Sequence, residues 1–267
     1  MGIIFHKYVK KELFWVYLMK VLAHKVRKLE LIYEGKAKRL YATDDPEKIL
    51  IEFKDDLTAF NGKKHDILQS KGILNAAITS KLFQLLEKKG IRTHFIEQVD
   101  PRTILAEKLD MIPLEVVCRN IAYGSIVKRV PLFQPKEKLN TPIIEFFLKN
   151  DALGDPFLSE EHILALGILK EEELAEIKRI TRKINDILKS FLSQVGIILV
   201  DFKVEYGKNS EKELVLGDEL TGDTMRLWDA KTGAILDKDL YRQGKPLTEV
   251  LRAYQECYRR IVLGEVS

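Results

Sequence analysis

The sequence predicts an α+β protein in two lobes: a small β-rich lobe over residues 29–112 and a larger α/β lobe over 113–267, preceded by an extension over 1–28. Three observations predict it. Short apolar runs punctuated by glycine and proline open the chain after residue 28, which is the pattern of strands and turns. Further on, Leu174, Ile177, Ile180, Ile184, Leu188, Phe191 and Val195 recur at helical spacing and form a core-facing stripe. Directly after that stripe, the apolar run Ile197-Ile198-Leu199-Val200 leads into Asp201, Lys203 and Glu205, which alternate with Phe202, Val204 and Tyr206. The run reads as a strand buried on both faces, and the alternation puts three charges on one face of its continuation.

In the first lobe, strands are expected over 31–34, 39–42 and 49–53 as an antiparallel meander, with Gly35 and the turn Thr43-Asp44-Asp45-Pro46 between them. Residues 55–64, including Asn61-Gly62, read as a loop. Leu74, Ile78, Leu82 and Leu86 have helical spacing, ending before Gly90. Strands follow over 93–98 and 103–109 around Asp100-Pro101-Arg102. In the second lobe, 114–120 reads as a strand that turns through Gly124-Ser125 into the helical 126–129. Residues 131–142 read as an exposed connection. Ser159 with Glu160-Glu161 caps a short helix, and Glu171-Glu172-Glu173 begins the long one, which Gly196 stops. The last helix runs from Leu247 to Ile261 behind Pro246.

Composition narrows the function. With 267 residues and 46% hydrophobic content the chain can bury a sizeable core. A net charge of +4 is too small to imply nucleic acid and suits anionic small substrates. Cys118 and Cys257 make neither a disulfide framework nor a metal spacing, so a reducing, cytoplasmic compartment is expected, with both thiols buried. Five scattered histidines lack zinc spacing. The apolar patch over 13–18 is flanked by lysines, lacks a small-residue cleavage site and is too short to span a bilayer, so no membrane partner is expected. For the extension, an amphipathic helix, a dispensable segment or a true start at Met19 all remain open.

The chemistry centres on the charged strand. Gly207-Lys208-Asn209-Ser210 is turn-forming and 213–216 reads as a partner strand, so a hairpin brings Asp218 near Lys203 and Glu205, on a neighbouring strand about 4.8 Å away. Acids so close repel unless a cation lies among them, and Mg²⁺ with a nucleotide suits such oxygens. The competing reading is a solvated face neutralised by Lys203. Lys36 and Lys38, beside Gly35, read as a phosphate clamp or as a solvated hairpin tip. Arg119 with Ser125 at a strand-to-helix turn reads as an anion site or as an ordinary cap. No P-loop and no dinucleotide fingerprint occurs.

Four segments carry a family resemblance: Glu34-Gly35-Lys36-Ala37-Lys38; 112–125 with Pro113-Leu114-Glu115, Arg119 and Gly124-Ser125; 199–207; and Asp218, Asp223 and Arg226-Leu227-Trp228-Asp229. Over residues 31–261 the chain resembles the SAICAR synthetase family. It departs from the family pattern at Asn61, at Tyr123, where a small residue is usual, and at Tyr206, where Phe is usual. The resemblance implies a two-lobed ligase, ATP-grasp or kinase-like in architecture, with ATP between the lobes and commonly a homodimer. It implies ATP-dependent joining of L-aspartate to carboxyaminoimidazole ribonucleotide (CAIR), with Mg²⁺, in purine synthesis. It implies Glu205 and Asp218 as metal ligands. Gly35, Lys36, Lys38, Lys149 and Glu205 fall to ATP. Arg119, Ser125, Asp155, Asp223, Arg226 and Arg242 fall to substrate, and Asp201, Lys203 and Arg226 to catalysis. A protein-kinase-like phosphotransferase is the rival reading, but His-Arg-Asp and Asp-Phe-Gly segments are missing. A nucleotide-binding protein without catalysis would not be expected to keep both Glu205 and Asp218.

Overall fold

The computed structural model describes residues 26–60 and 62–265. The readings placed on the extension before residue 26 and on Asn61 therefore lie outside the described residues. Two antiparallel sheets dominate. The first has the order β1-β2-β3-β7-β6, built from Lys28–Glu34, Lys38–Thr43, Lys48–Phe53, Thr103–Glu107 and Phe95–Asp100. This is the expected meander, its first strand beginning three residues before the expected 31–34. Helix α1, Lys71–Lys88, lies against it and buries Leu74, Ile78, Leu82, Phe83 and Leu86.

The second sheet has the order β10-β9-β8-β11-β12, with β13 also pairing β11. Its strands are Phe157–Leu158, Lys138–Leu148, Asp110–Ile121, Ile197–Lys208, Leu214–Gly217 and Met225–Asp229. A five-residue helix α2, Ser125–Arg129, follows β8. The short α3, Glu160–Ala165, is closed by a capping box between Ser159 and His162. Helix α4, Glu171–Gln194, covers β11 with Leu174, Ile177, Ile184, Leu188 and Leu192. Its N-terminal glutamates suit the positive end of the helix dipole, and Gly196 at φ 69° breaks it. Helix α5, Asp239–Arg242, and α6, Leu247–Ile261, close the chain, with α6 packed on α1.

Four expectations need correction. Residues 55–64 are not a plain loop: Asp56–Ala59 (β4) and Lys64–Ile67 (β5) form a separate hairpin. Residues 131–142 are not all connection, because β9 begins at Lys138 and pairs β8 from Ile121 back to Leu114. Pro142 falls in the register shift between the Arg119–Ile143 and Ile121–Lys138 pairs, where a proline is tolerated in a strand. The run 197–200 is not buried on both faces, since Ile198 is 36% exposed at the end of β11. The helix dipole expected after Gly124 belongs to only five residues.

A single apolar cluster reaches across both sheets, from Ile51, Phe53 and Ala106 through Val116 and Phe146 to Phe202, Val204 and Tyr206. Tyr206 is buried with its hydroxyl 2.8 Å from Thr181 Oγ1, so the polar atom has a partner where a Phe would have none to satisfy. Cys118 and Cys257 are free and buried, and burial pushes the Cys118 thiol up to about 12.

Candidate active site

Strand β11 runs through the middle of the site. Its register places Glu205 opposite Gly217 of β12 and opposite Glu115 of β8, while Asp201 faces Arg119 on one side and Arg226 of β13 on the other. The period-two face of charges is thus met by a second such face on β8, Glu115, Val117 and Arg119. Asp201 and Glu205 are buried, which rules out the reading of a solvated strand face.

One end of the site is a lysine and carboxylate cluster. Lys203 Nζ lies 2.7 Å from Glu205, 2.8 Å from Glu115 and 3.6 Å from Asp218. Lys38 crosses from the first sheet to pair with Asp218, and with Glu219 at 3.1 Å. Lys149 pairs with Glu205. Burial alone would lower Lys38 and Lys203, but the surrounding carboxylates outweigh it and raise both above the usual lysine range. Burial would likewise raise Asp218, yet Lys38, Lys203 and Lys149 hold it far below the usual carboxylate range. Lys38, Lys203 and Asp218 are therefore charged near neutral pH.

Glu205 and Asp218 both lie within 3.6 Å of one ammonium nitrogen, so their oxygens can serve one small cation. Among the described residues no three His, Cys, Asp or Glu side chains gather as a metal cage. Two hard oxygen ligands, with the rest of the shell left to phosphate and water, suit Mg²⁺. The donor set fits.

The other end is an arginine cluster. Arg119 is buried and its donors are taken: Nε by Glu145 at 2.6 Å, Nη1 by Asp201 at 2.9 Å, Nη2 by Ser125 Oγ at 3.1 Å. Arg226 reaches the same Asp201 oxygen at 2.8 Å and Asp239 at 2.8 Å. Arg242 pairs with Asp239. Gly124, at φ 71°, lets the Arg226 guanidinium lie against the turn, because a Cβ there would come within 2.9 Å of it. Tyr123 meets the same guanidinium, 5.6 Å from its ring, and stands edge-on to Trp228. The departure at Tyr123 thus gives Arg226 an aromatic wall. With a five-residue helix, the guanidinium groups rather than a helix dipole supply the positive potential.

A cavity of about 230 Å³ joins the two ends, lined by Arg119, Ser125, Asp201, Lys203, Asp223, Arg226 and Arg242 together with Glu115. Seven expected residues therefore share one space, and Lys38, Lys149, Glu205 and Asp218 adjoin it through Lys203 and its partners. Asp223 is anchored from α1 by Lys71 at 2.7 Å and Asn75 at 2.9 Å, and from α6 by Tyr254 at 2.9 Å, with Lys238 at 3.4 Å. Three expected residues stand apart. Gly35 sits in the β1–β2 turn, its N–H donating to the Lys38 carbonyl. Lys36 points to Asp151 at 2.6 Å rather than beside Lys38. Asp155 accepts from the Asn150 N–H within its own loop. Another cleft of about 600 Å³, along residues 90–96, contains none of the expected residues.

Sequence reasoning missed Glu115, Glu219, Lys71, Asn75, Tyr254, Lys238, Glu145 and Asp239 as parts of this network. Glu115 was within reach, since it shares a period-two face with Arg119. The others carry no local signal.

Known proteins resemble the chain along most of its length. The family model described as SAICAR synthetase matches residues 31–261. A phosphoribosylaminoimidazole-succinocarboxamide synthase of Methanocaldococcus jannaschii is 48% identical over 92% of this chain and 100% of its own length. That of Thermococcus sibiricus is 52% identical over 86% and 97%. The crystal structure of the Ehrlichia chaffeensis synthase superposes with a TM-score of 0.84 at 45% identity, covering 89% of this chain and all of that one. A SAICAR synthetase solved in complex with ADP gives 0.83 at 47%, covering 89% and 99%. The chain belongs to the SAICAR synthetase family.

Proposed function

We propose that the protein joins L-aspartate to the carboxylate of CAIR, 5-amino-1-(5-phospho-D-ribosyl)imidazole-4-carboxylate, giving SAICAR, ADP and phosphate through an acyl phosphate. Family membership makes it an ATP-dependent ligase of purine biosynthesis. The observation that carries the finer reading is the single cavity with a guanidinium end and a lysine and carboxylate end. A phosphorylated, carboxylated substrate matches the first, and a metal nucleotide matches the second. The relative solved with ADP supports a nucleotide site in this fold.

A carboxylate is a poor electrophile. Its oxygen attacks the γ-phosphorus of ATP, the bond to ADP breaks, and the acyl carbon becomes open to the aspartate amine. The amine nitrogen then bonds to that carbon, phosphate leaves with the former carboxylate oxygen, and the aspartate ammonium loses two protons in all, one before it attacks and one after, leaving the amide N–H. Such chemistry needs alignment and charge neutralisation more than a nucleophilic side chain. When bound through Glu205 and Asp218, Mg²⁺ would supply charge neutralisation at the phosphates. Lys38, Lys149 and Lys203 add positive charge there, with Lys36 and Gly35 at the outer turn. Arg226 and Ser125 hold the ribonucleotide phosphate, with the buried Arg119 guanidinium behind Ser125 as cationic support, and Asp201 fixes both guanidinium groups. Arg242 and Asp223 face the second substrate, and Asp155 shapes the loop that carries Lys149. The protein acts in the cytoplasm as a homodimer in this reading, and its two free, buried thiols support a reducing compartment.

The test is an ADP-release assay with each combination of ATP, L-aspartate and CAIR. Rapid ADP formation and SAICAR should require all three. Equal ADP release without CAIR would refute the assignment.

A further inference from the structure

Glu145 stands on β9 opposite Val117 of β8, with its carboxylate buried and outside the lining of the cavity. Its two oxygens serve two arginines. Oε2 accepts from Arg119 Nε at 2.6 Å, and Oε1 accepts from Arg129 Nη2. One guanidinium on each oxygen fixes both in direction, because a charge-assisted hydrogen bond is both strong and geometrically demanding. A buried pair of this kind adds little stability over well-packed apolar side chains, so direction is what it chiefly contributes.

The two arginines grip opposite ends of one segment. Arg119 Nη2 donates to Ser125 Oγ at 3.1 Å and Nη1 to the Tyr123 carbonyl at 3.4 Å, which holds the turn that opens α2. Arg129 is the last residue of α2, and its guanidinium also lies against the rings of Phe147 and Phe157, at 5.3 and 5.5 Å. A five-residue helix barely repays its own nucleation. Among the described residues no side chain caps the N-terminus of α2, and Ile126 is its one buried residue. The preceding chain is tied down at Ala122, which donates to the Glu137 carbonyl and accepts from the Lys136 N–H. Beyond Ala122, opposite charges alternate from the cavity to the far end of α2 in the order Asp201, Arg119, Glu145, Arg129.

We propose that Glu145 is a positioning residue for the ribonucleotide phosphate: it holds Arg119 and Arg129 together, so that α2 presents Ser125 to the cavity beside Arg226. This rests on the reading of the arginine end as the phosphate site. Glu145 and Arg129 act through Ser125 and touch neither substrate.

The experiment is steady-state kinetics of the full chain with CAIR and ATP varied in turn, alongside thermal unfolding. Arg129→Ala removes one arm at a partly exposed residue and should raise KM for CAIR about fivefold, with KM for ATP unchanged. Arg129→Lys, which can still donate to Oε1, should recover most of the loss. Glu145→Gln must turn its amide nitrogen toward one of the arginines and should raise KM for CAIR by about tenfold. The double variant should be no weaker than Glu145→Gln alone, because both changes break one linkage. If Glu145→Gln does not fold, the two Arg129 variants decide. An unchanged KM for CAIR in Arg129→Ala, no recovery in Arg129→Lys, equal rises for CAIR and ATP, or additive losses in the double variant overturn the inference. Arg226→Ala separates the two levels: if it leaves KM for CAIR unchanged, the phosphate reading has failed, and if it raises that KM while Arg129→Ala does not, only the role of Glu145 has.

Discussion

Asp201 shows how one side chain organises the guanidinium end of the cavity. Arg119 and Arg226 converge on the same carboxylate oxygen, and Arg226 keeps part of its surface in the cavity. In Arg226→Ala, Asp201 retains Arg119 and Asp239 retains Arg242, so the fold should survive. A lost charge-assisted contact is worth about 1.5–3 kcal/mol, so CAIR affinity should fall roughly tenfold to a hundredfold while ATP affinity barely moves. Steady-state KM values for the two substrates check this; a loss confined to ATP would mean that the two ends of the cavity are assigned the wrong way round. Asp237 offers a pH prediction. Burial and the charge of Asp239 push its carboxyl up to about 7, against an ordinary value of 3.8. The native state then binds a proton that the unfolded chain has released, so stability falls as pH rises from about 4 to about 7 and levels off above that. Asp237→Asn cannot ionise. Urea unfolding should show the wild type losing stability relative to this variant by a few kcal/mol between pH 5 and pH 8; a difference independent of pH would contradict the shift.

At the scale of elements, Gly72 marks where α1 docks. A Cβ at Gly72 would lie 2.4 Å from the Phe53 carbonyl oxygen, while its N–H donates to Asp55 at 2.8 Å. Gly72→Ala must therefore move the first turn of α1, and with it Lys71 and Asn75, off Asp223. A cost of about 1–3 kcal/mol is expected, with a Tm lower by several degrees. An unchanged Tm by scanning calorimetry would show that the turn yields freely. The elements that were legible beforehand share a cause. The hairpin of β11 and β12 announced itself through strict alternation and a turn-forming tetrapeptide, and α4 through a long stripe bounded by glutamates and Gly196. The hairpin of β4 and β5 was hidden because four-residue strands rich in Asp, Lys and His carry no periodic signal. The start of β9 was masked by Lys138, Asn140 and Pro142, whose strand character comes from pairing with β8. In the site, the β11 charges were legible from period two. The partners of Asp223 were not, because Lys71 lies 152 residues away in sequence and only the docking of α1 against the second sheet's loops joins them.

For the whole molecule, one apolar cluster spans both sheets, and Lys38 to Asp218, Lys71 to Asp223 and the Thr93 to Leu216 bridge add polar ties between them. The two sheets should therefore unfold together. Tryptophan fluorescence and far-UV circular dichroism should give coincident urea transitions, and two separated midpoints would show independent lobes. The same junction places the lysine and carboxylate end beside the arginine end, and this shared cavity is what makes a carboxylate activation plausible chemistry for the fold. The measurement that tests this most directly follows oxygen. CAIR labelled with ¹⁸O in both carboxylate oxygens is turned over with ATP and L-aspartate, and the phosphate released is analysed by mass spectrometry. Activation as an acyl phosphate predicts one ¹⁸O in each phosphate and one retained in the amide carbonyl of SAICAR. Phosphate without label, alongside SAICAR formed at the normal rate, would contradict the account.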